Sequence, residues 1–587
     1  METGAGVIPG ICFLSGYGII YRMRHFCTEK FKSYLLPGTF SAFIGYVGRL
    51  SDSVIVGHVI GEDALAGINM VTPILSVVTF LAYMIAMGTA TNYSIWMGRI
   101  DRTRARQFFM QGLWLTLIVG CALALFMVLG KDFYFSMLSG SEYVEMYGRQ
   151  YLNWAWPIGL TEGLLLLLAV FCCADGDIRF CSLVYGGVFI LNIVISYAAV
   201  RLGMGASGCA LGTVIAETLG ILCLCGHFFR SVNTFAPVRH FSLHDSWYVF
   251  RASFGDAAAF LCDAVLFFLL CKLVIVRFDS DMLPVAGVAI VVWSFLEIFN
   301  GIGVAVQPLV TVYWGERNTR AIRKVMQAAM YAAIAEGLFL GILFFLFPDV
   351  VIRMVGVEGI DYPELLDAAR GCVRLVSFGF VPLAFAGLFN SYFLFIERPW
   401  ISLYTTIAGY LAFPAVCVVV GSCFGLDGTW LGLGLGPLLG VLAMAVAILV
   451  KRGRHGFPML LPRKAEAKTM MFDLVLSEKE IVRVSNAVRE ALPDDVAVRA
   501  ALMVEEVFMT VRERNPGRNR LLGEVTLDLN DGIVMTLRDD GVIFDITDAD
   551  AKVSSLRTYL VATVMERQRE RINLVTSGFN RNVFRFK

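Results

Sequence analysis

The sequence predicts an all-α polytopic membrane protein, twelve transmembrane helices in two six-helix lobes, followed by a small α/β two-layer domain. Three observations carry this reading. The chain of 587 residues is 57% hydrophobic and only 17% charged, with a mean hydropathy of +0.69; a soluble domain carries about 25% charged residues. Apolar stretches long enough to cross a bilayer follow one another up to about residue 450. From about residue 468 the pattern changes to short alternating strands and amphipathic helices.

Residues 1–35 read as a cytoplasmic or interfacial leader, because METGAGVIPGICFLSGYGIIYRMRHF lacks the signal-peptide order of charge, apolar core and cleavage site. The twelve spans fall near 36–59, 64–92, 108–130, 147–171, 181–200, 205–229, 248–277, 284–312, 325–348, 368–395, 400–421 and 426–450. They divide into an N-terminal lobe (36–230) and a C-terminal lobe (231–450), followed by a basic linker (451–467) and the small domain (468–587). Arg99, Arg102, Arg104 and Arg106, then Arg317, Arg320, Arg323 and Lys324, then Lys451 and Arg452 all fall in loops on one side. The positive-inside rule makes that side cytoplasmic and puts both termini there, in a multi-pass protein of the cell membrane. The net charge of +1 gives no reason to expect a nucleic-acid partner. The 14 cysteines are scattered through apolar runs and form neither a zinc nor a disulfide framework.

The membrane part repeats itself. GTATNYSIWMGRIDRTRARQF from Gly88 echoes VAVQPLVTVYWGERNTRAIRKV from Val304, which aligns Gly98 with Gly315. LGMGASGCALGT from Leu202 echoes FGLDGTWLGLG from Phe424. Repeated halves about a central cavity are the plan of secondary transporters. A Walker A lysine motif is missing, so the chain does not read as an ATP-driven pump; it reads as a secondary active transporter and not an enzyme, with residual ATP binding or kinase activity of the tail left open.

LPGTFSAFIGYVGRLSDSVIVGHVIGEDALAGINMVTPI (36–74) and AVFCCADGDIRFCSLVYGGVFILNIVISYAAVRLGMGASGCALGTVIAE (169–217) resemble the multidrug and toxic compound extrusion (MATE) transporters over roughly residues 35–450. The resemblance implies export of organic cations or other amphiphilic compounds, driven by sodium or proton entry and needing no bound cofactor. The wider fold also includes flippases for lipid-linked precursors and polysaccharide exporters, which remain an alternative.

Ionisable groups at membrane depth are costly and face a cavity or a partner. Asp52, in YVGRLSDSVIVG, is the first candidate for sodium or proton coupling; pairing with nearby Arg49 is the structural alternative. Asn192 offers a carbonyl oxygen on the fifth span. The resemblance implies an aspartate one turn later, where this chain has Ser196, and a hydroxyl at Thr213. In the second lobe Asp256, Asp263, Glu297 and Gln307 are candidates for the substrate cavity, with Asp256 and Asp263 two helical turns apart on one face. Glu162 and Glu217 lie within or near spans.

The small domain should run strand (MFDLVLSEK), helix (EIVRVSNAVREAL), helix (VAVRAALMVEEVFMTVRERN), hairpin (EVTLDLNDGIVMTLRDD), helix (TYLVATVMERQRE) and closing strands (INLVTSGFNRNVFRFK). It resembles the ATP-binding domain of histidine kinases and anti-sigma-factor serine kinases. That resemblance implies a vestigial nucleotide site. Glu506 stands for the magnesium-holding glutamate, with Thr510 where an asparagine is expected, and DDGVIFD supplies Asp539 and Gly541 for the adenine but has Ile543 in place of the second glycine. The stretch DITDADAKVSSLRTYL contains no glycine for a phosphate cradle. ATP and magnesium binding stay open, with a regulatory role and a cytosolic protein partner as the favoured reading. A membrane-anchored signalling protein is a second alternative.

Overall fold

The computed structural model describes residues 25–586 apart from 61, 100, 138–141, 231–232, 279–281, 355–362, 453–458, 462–468, 519, 531, 544–571 and 577–578. The leader up to residue 24, most of the basic linker and the helix expected over TYLVATVMERQRE lie outside the described residues.

The first half comprises α1 (Phe26–Val59), α2 (Glu62–Gly98), α3 (Arg102–Leu129), α4 (Lys131–Met137), α5 (Glu142–Ala155), α6 (Ile158–Ala174), α7 (Ile178–Ala199) and α8 (Ala206–Cys225). The second comprises α9 (Leu243–Phe278), α10 (Leu283–Ser294), α11 (Asn300–Gly315), α12 (Thr319–Leu346), α13 (Pro348–Met354), α14 (Pro363–Ser377), α15 (Phe380–Phe395), α16 (Pro399–Thr406), α17 (Phe413–Gly421) and α18 (Leu426–Arg452). Among the described residues nine helices are long and apolar enough to cross a membrane, or eleven if each of two bent pairs counts as one crossing. The bent pairs are α5 with α6 (54°) and α14 with α15 (46°), one in each half. α1 begins at Phe26, ten residues before the expected first span, and lies against α7 and α11. Leu129, Leu183, Phe339 and Val450 point outward and exposed, as residues in contact with lipid do.

The repeat read from the sequence is present as geometry. α3 is capped by Asp101, whose Oδ1 accepts from the Arg104 amide (2.9 Å), and α12 by Asn318, whose Oδ1 accepts from the Ala321 amide (3.1 Å). Each cap satisfies one of the donors a helix start leaves open. Gly203 and Gly425, aligned by the second echo, both hold φ in the left-handed region, +91° and +97°. A side chain at either would strain the turn between consecutive helices.

The C-terminal domain is a five-stranded antiparallel sheet with strands β1 (Thr469–Val475), β2 (Leu522–Asp528), β3 (Ile533–Asp539), β4 (Ile572–Thr576) and β5 (Phe579–Phe586), in the order β1-β2-β3-β5-β4. Two helices, α19 (Glu478–Ala491) and α20 (Asp494–Glu513), complete the second layer. Strand alternation separates the two faces. Val525, Leu527, Met535, Leu537, Phe584 and Phe586 share one core with Val484, Val504 and Phe508 of the helices. Glu524, Thr526, Arg538 and Arg581 occupy the other face and are buried against the helix bundle.

Candidate functional site

The four coupling-ion candidates, read from three separate helices, come together. Ser196 Oγ donates to Asn192 Oδ1 at 2.8 Å across one turn of α7. Thr213 of α8 lies with its hydroxyl 3.3 Å from Asn192 Oδ1, 3.3 Å from Asp52 Oδ2 on α1 and 3.2 Å from the carbonyl of Cys209. One hydroxyl has one proton, so it serves only one of these three acceptors at a time. Asp52 Oδ1 is buried and has no partner among the described residues. The cluster therefore holds more oxygen lone pairs than donors, the condition in which a hard cation or a proton binds. Close packing fixes it: a Cβ on Gly212 would lie 2.8 Å from the Ser196 amide. The side chain of Arg49, the alternative partner for Asp52, lies outside the described side chains.

Two further carboxylates stand in this lobe. Glu217 accepts from Thr161, and Glu162 accepts from Thr79 at 2.6 Å. With Asp52 they lie within electrostatic reach of the buried Tyr151. Their sequence signal was an acid inside an apolar run; their shared neighbourhood needed the fold. Among the described residues no three His, Cys, Asp or Glu side chains converge as metal ligands, so any cation here is held by mixed carboxylate, amide and hydroxyl oxygens.

The second-lobe candidates do not form one cluster. Asp256 of α9 accepts from Tyr83 of α2 (2.9 Å) and from Ser391 of α15 (3.2 Å), so it joins the two lobes. Asp263 accepts from the Trp293 indole at 2.9 Å. Tyr410 lies within electrostatic reach of both carboxylates. Glu297 sits half-buried in the 3-10 stretch Phe295–Phe299 that joins α10 to α11. Gln307 is buried in α11, and its Nε2 has no partner among the described residues. Sequence reasoning missed Tyr83 and Ser391, since a neutral hydroxyl in an apolar run carries no signal of its own. A cavity of about 390 Å³ lies elsewhere, lined among others by Thr91, Tyr248, Arg251, Glu397 and Trp400.

In the C-terminal domain Thr510 donates to the backbone carbonyl of Glu506 at 2.7 Å, which commits its proton inside α20. Asp539 Oδ1 accepts from Asn580 Nδ2 (2.8 Å) and from the Gly541 amide (3.0 Å). Burial pushes the Asp539 carboxyl up to about 7 against those two bonds. Asp539 Oδ2 is buried without a partner among the described residues, which suits an acceptor for an adenine amino group. Gly541 is hemmed in, however: a Cβ there would lie 2.8 Å from Asn515 Nδ2 and 2.8 Å from Val511. Phe544, Asp545 and the expected phosphate loop lie outside the described residues. Glu506 stands one helical turn before Thr510 on α20, with a threonine hydroxyl where the resemblance implies an amide oxygen.

The domain is bound to the bundle at a charged junction. Glu316, immediately after α11, receives Arg538 and also Arg581 Nη2 (2.6 Å). Arg538 Nη1 also reaches Glu524 Oε1 at 2.5 Å, and its guanidinium lies over the Tyr313 ring, 4.8 Å from the centroid. Arg581 donates to the carbonyls of Met97 (2.8 Å) and Gly98 (2.9 Å), at the end of α2. Burial lowers the Arg581 guanidinium to about 10 even with Glu316 beside it. On β1, Asp473 accepts from the Phe26 amide (2.9 Å), from His25 (2.7 Å) and from Lys324 (3.2 Å). Burial raises its carboxyl, but His25, Lys324 and the Phe26 amide outweigh that and hold it below the usual range.

A bundle of repeated halves, with acidic groups at the depth of its apolar helices, is the architecture of a secondary transporter. The model of the MatE family matches two segments, residues 37–198 and 258–419, one in each half and together more than half of the chain. The chain belongs to the MatE family, transporters of the multidrug efflux type. The probable multidrug resistance protein NorM of Thermotoga maritima is 22% identical over 339 residues, 56% of this chain and 71% of that protein. Among solved structures, a multidrug resistance MATE family transporter of the MOP superfamily in an outward-facing conformation superposes with a TM-score of 0.66 at 18% identity, covering 71% of this chain and 94% of that one. A MATE protein in complex with MaL6 gives 0.65 at 18%, with the same coverage. A MOP superfamily transporter from Pyrococcus furiosus, described as having a binding pocket of reverse polarity, gives 0.63 at 19%, covering 72% and 97%. The matched segments end at residue 419, so the family model does not reach the sheet domain.

Proposed function

We propose that this chain is a cation-coupled antiporter that exports amphiphilic or organic-cation compounds through twelve spans, with its basic loops, both termini and the sheet domain in the cytoplasm. The observation that carries the reading is the oxygen cluster of Asp52, Asn192, Ser196 and Thr213, in which one hydroxyl proton is shared among three acceptors. Sodium or a proton entering that cluster favours one arrangement of the lobes and substrate favours the other. Differential affinity for two states is all that exchange requires. The inter-lobe carboxylate Asp256 is suited to the substrate side, since a buried acid attracts an organic cation. The sheet domain is a regulatory tail in this reading, available to a cytosolic protein partner. The threonine at position 510, where the resemblance implies an asparagine, and the crowding at Gly541 support regulation over phosphoryl transfer.

The test is efflux of a fluorescent organic cation from proteoliposomes, under a sodium gradient and a proton gradient in turn, for the intact chain and Asp52→Asn. Gradient-driven efflux that is lost in the variant supports the antiporter and identifies the coupling ion. Absence of efflux under both gradients from folded protein overturns the organic-cation reading, and lipid-linked precursors become the substrates to test.

A further inference from the structure

The two helix ends that Arg581 touches belong to different lobes. Its guanidinium holds the terminal carbonyls of α2 in the first lobe and the carboxylate of Glu316, which follows α11 in the second. Terminal carbonyls have no partner within their own helix, and they carry the negative end of the helix dipole. Two such ends brought side by side repel one another, and Glu316 adds a full negative charge. Arg581 and Arg538 supply the compensating positive charges, and both are fully buried. Asp473 makes a second bridge of the same kind, joining the start of α1 in the first lobe to Lys324 of α12 in the second. Phe579, at the start of β5, makes an edge-on contact with Phe26 at the start of α1, 5.2 Å between ring centroids.

Beneath Arg581 the lobes touch directly. A Cβ on Gly315 would lie 2.8 Å from the Cα of Gly98 and 2.9 Å from the amide of Arg99. These two glycines are equivalent in the repeat, so their crossing lies where an axis relating the halves would emerge. The sheet domain is thus docked over the seam at which the lobes must part for a substrate to enter from this side.

We propose that the face of the sheet carrying Arg538 and Arg581 is a bolt across the inner mouth of the transporter: docked, it holds the ends of α2 and α11 together, and the mouth opens only after it lets go. The geometry that argues for this is specific to the closed mouth, because Arg581 cannot reach Gly98 and Glu316 at once when the two ends separate. A tail merely tethered to the transporter would need contacts to one lobe only. This inference rests on the exporter reading for its direction of opening, but its test does not require a transported substrate.

The reporter is Ser94→Cys. Ser94 is buried one turn before Gly98 on the same face of α2, and its hydroxyl has no partner among the described residues. Full-length protein in inside-out vesicles is exposed to a membrane-impermeant maleimide, with the unsubstituted chain, which has native cysteines of its own, as background. Into the reporter are introduced Arg581→Gln, on the sheet, and separately Glu316→Gln, on the bundle. The second leaves every residue of the sheet domain in place, so misfolding of that domain cannot explain its effect. Labelling of the introduced thiol should rise at least ten-fold in both, with the double variant no faster than the faster single one. Equal labelling in all forms overturns the bolt, and so does a rise in only one single variant, since the contact is shared. If labelling rises while efflux of organic cations is absent from every form, the bolt stands and the exporter reading fails.

Discussion

Gly98 and Gly315, equivalent positions of the two halves, cross backbone to backbone: a Cβ on Gly98 would stand 2.9 Å from the Cα of Gly315. A Cβ on Gly315 would in turn overlap the carbonyl of Ile95, which is main chain and cannot rotate away. Gly315→Ala should therefore weaken the closed inner mouth even with Arg581 and Glu316 intact. Overpacking of this kind costs about 1–3 kcal/mol. Maleimide labelling of the Ser94→Cys reporter should rise several-fold, and unchanged labelling would show that the crossing is not what keeps the lobes together.

Ser196 stands where a carboxylate is implied by the family's pattern, and its hydroxyl donates to Asn192. Ser196→Asp puts a second negative charge beside Asp52 in a buried site. Without a cation two close carboxylates repel, and with one they both coordinate. The variant should be less stable than the parent in choline chloride and gain more on addition of sodium. A ten-fold tighter site adds about 1.4 kcal/mol at saturating ion. Thermal unfolding in matched sodium and choline series measures this, and parallel curves for the two proteins would remove sodium from the cluster.

Much of this architecture could be read directly from the sequence. Apolar runs marked the helices, and the echo around Gly98 and Gly315 marked the two halves. The strands and helices of the tail followed from alternation and amphipathic period, and the described ones fall where expected. Asp52, Asn192, Ser196 and Thr213 could be named because charge and amide groups are rare in apolar helices, and the family resemblance placed the hydroxyls. Other features could not be read in this way. Arg538 and Arg581 look in sequence like ordinary polar positions of alternating strands, and only docking shows that both are buried. The bridge from Tyr83 to Asp256 joins residues 173 apart in sequence, and no local pattern registers such a pair. The first helix starts earlier than hydropathy indicates because the tail itself, through Asp473, accepts the Phe26 amide at its beginning.

The Tyr83–Asp256 pair lends itself to a double-mutant cycle. Tyr83 Oη donates to Asp256 Oδ2 across the lobe boundary at 2.9 Å, while Ser391 serves the other oxygen at 3.2 Å. A hydrogen bond to a charged acceptor contributes about 1.5–3 kcal/mol. Tyr83→Phe should lower stability by an amount in that range, and should change it little once Asp256→Asn is present. If the hydroxyl helps to orient Asp256 toward substrate, Tyr83→Phe also raises KM for an organic cation more than it lowers kcat. Additive losses in the cycle would mean that the two side chains do not act on one another.

Asp539 gives the tail a pH dependence whose sign can be stated. Its carboxyl is raised from 3.8 to about 7, chiefly by burial, with Asn580 and the Gly541 amide opposing, Asp540 adding to the rise and Lys30 reducing it. The folded tail therefore holds this proton more tightly than the unfolded chain does. Its contribution to stability is greatest below about pH 3.8, declines as pH rises toward 7 and is flat beyond. The total change for one such group is up to about 4 kcal/mol. Glu524, likewise raised to about 7 by burial against the opposing charge of Arg538, slopes the same way. Asp473, held low, acts in the opposite sense and only in acid, below its ordinary value of 3.8. Between pH 5 and 7 the tail should thus lose stability as pH rises, and Asp539→Asn, which cannot ionise, should show a shallower loss with the Glu524 share remaining. Calorimetry of the full-length protein in detergent at pH 5, 6 and 7 follows the transition of the sheet domain. An identical pH slope in the variant would mean that Asp539 is already ionised in the folded tail, with its unpartnered oxygen served by a group not accounted for.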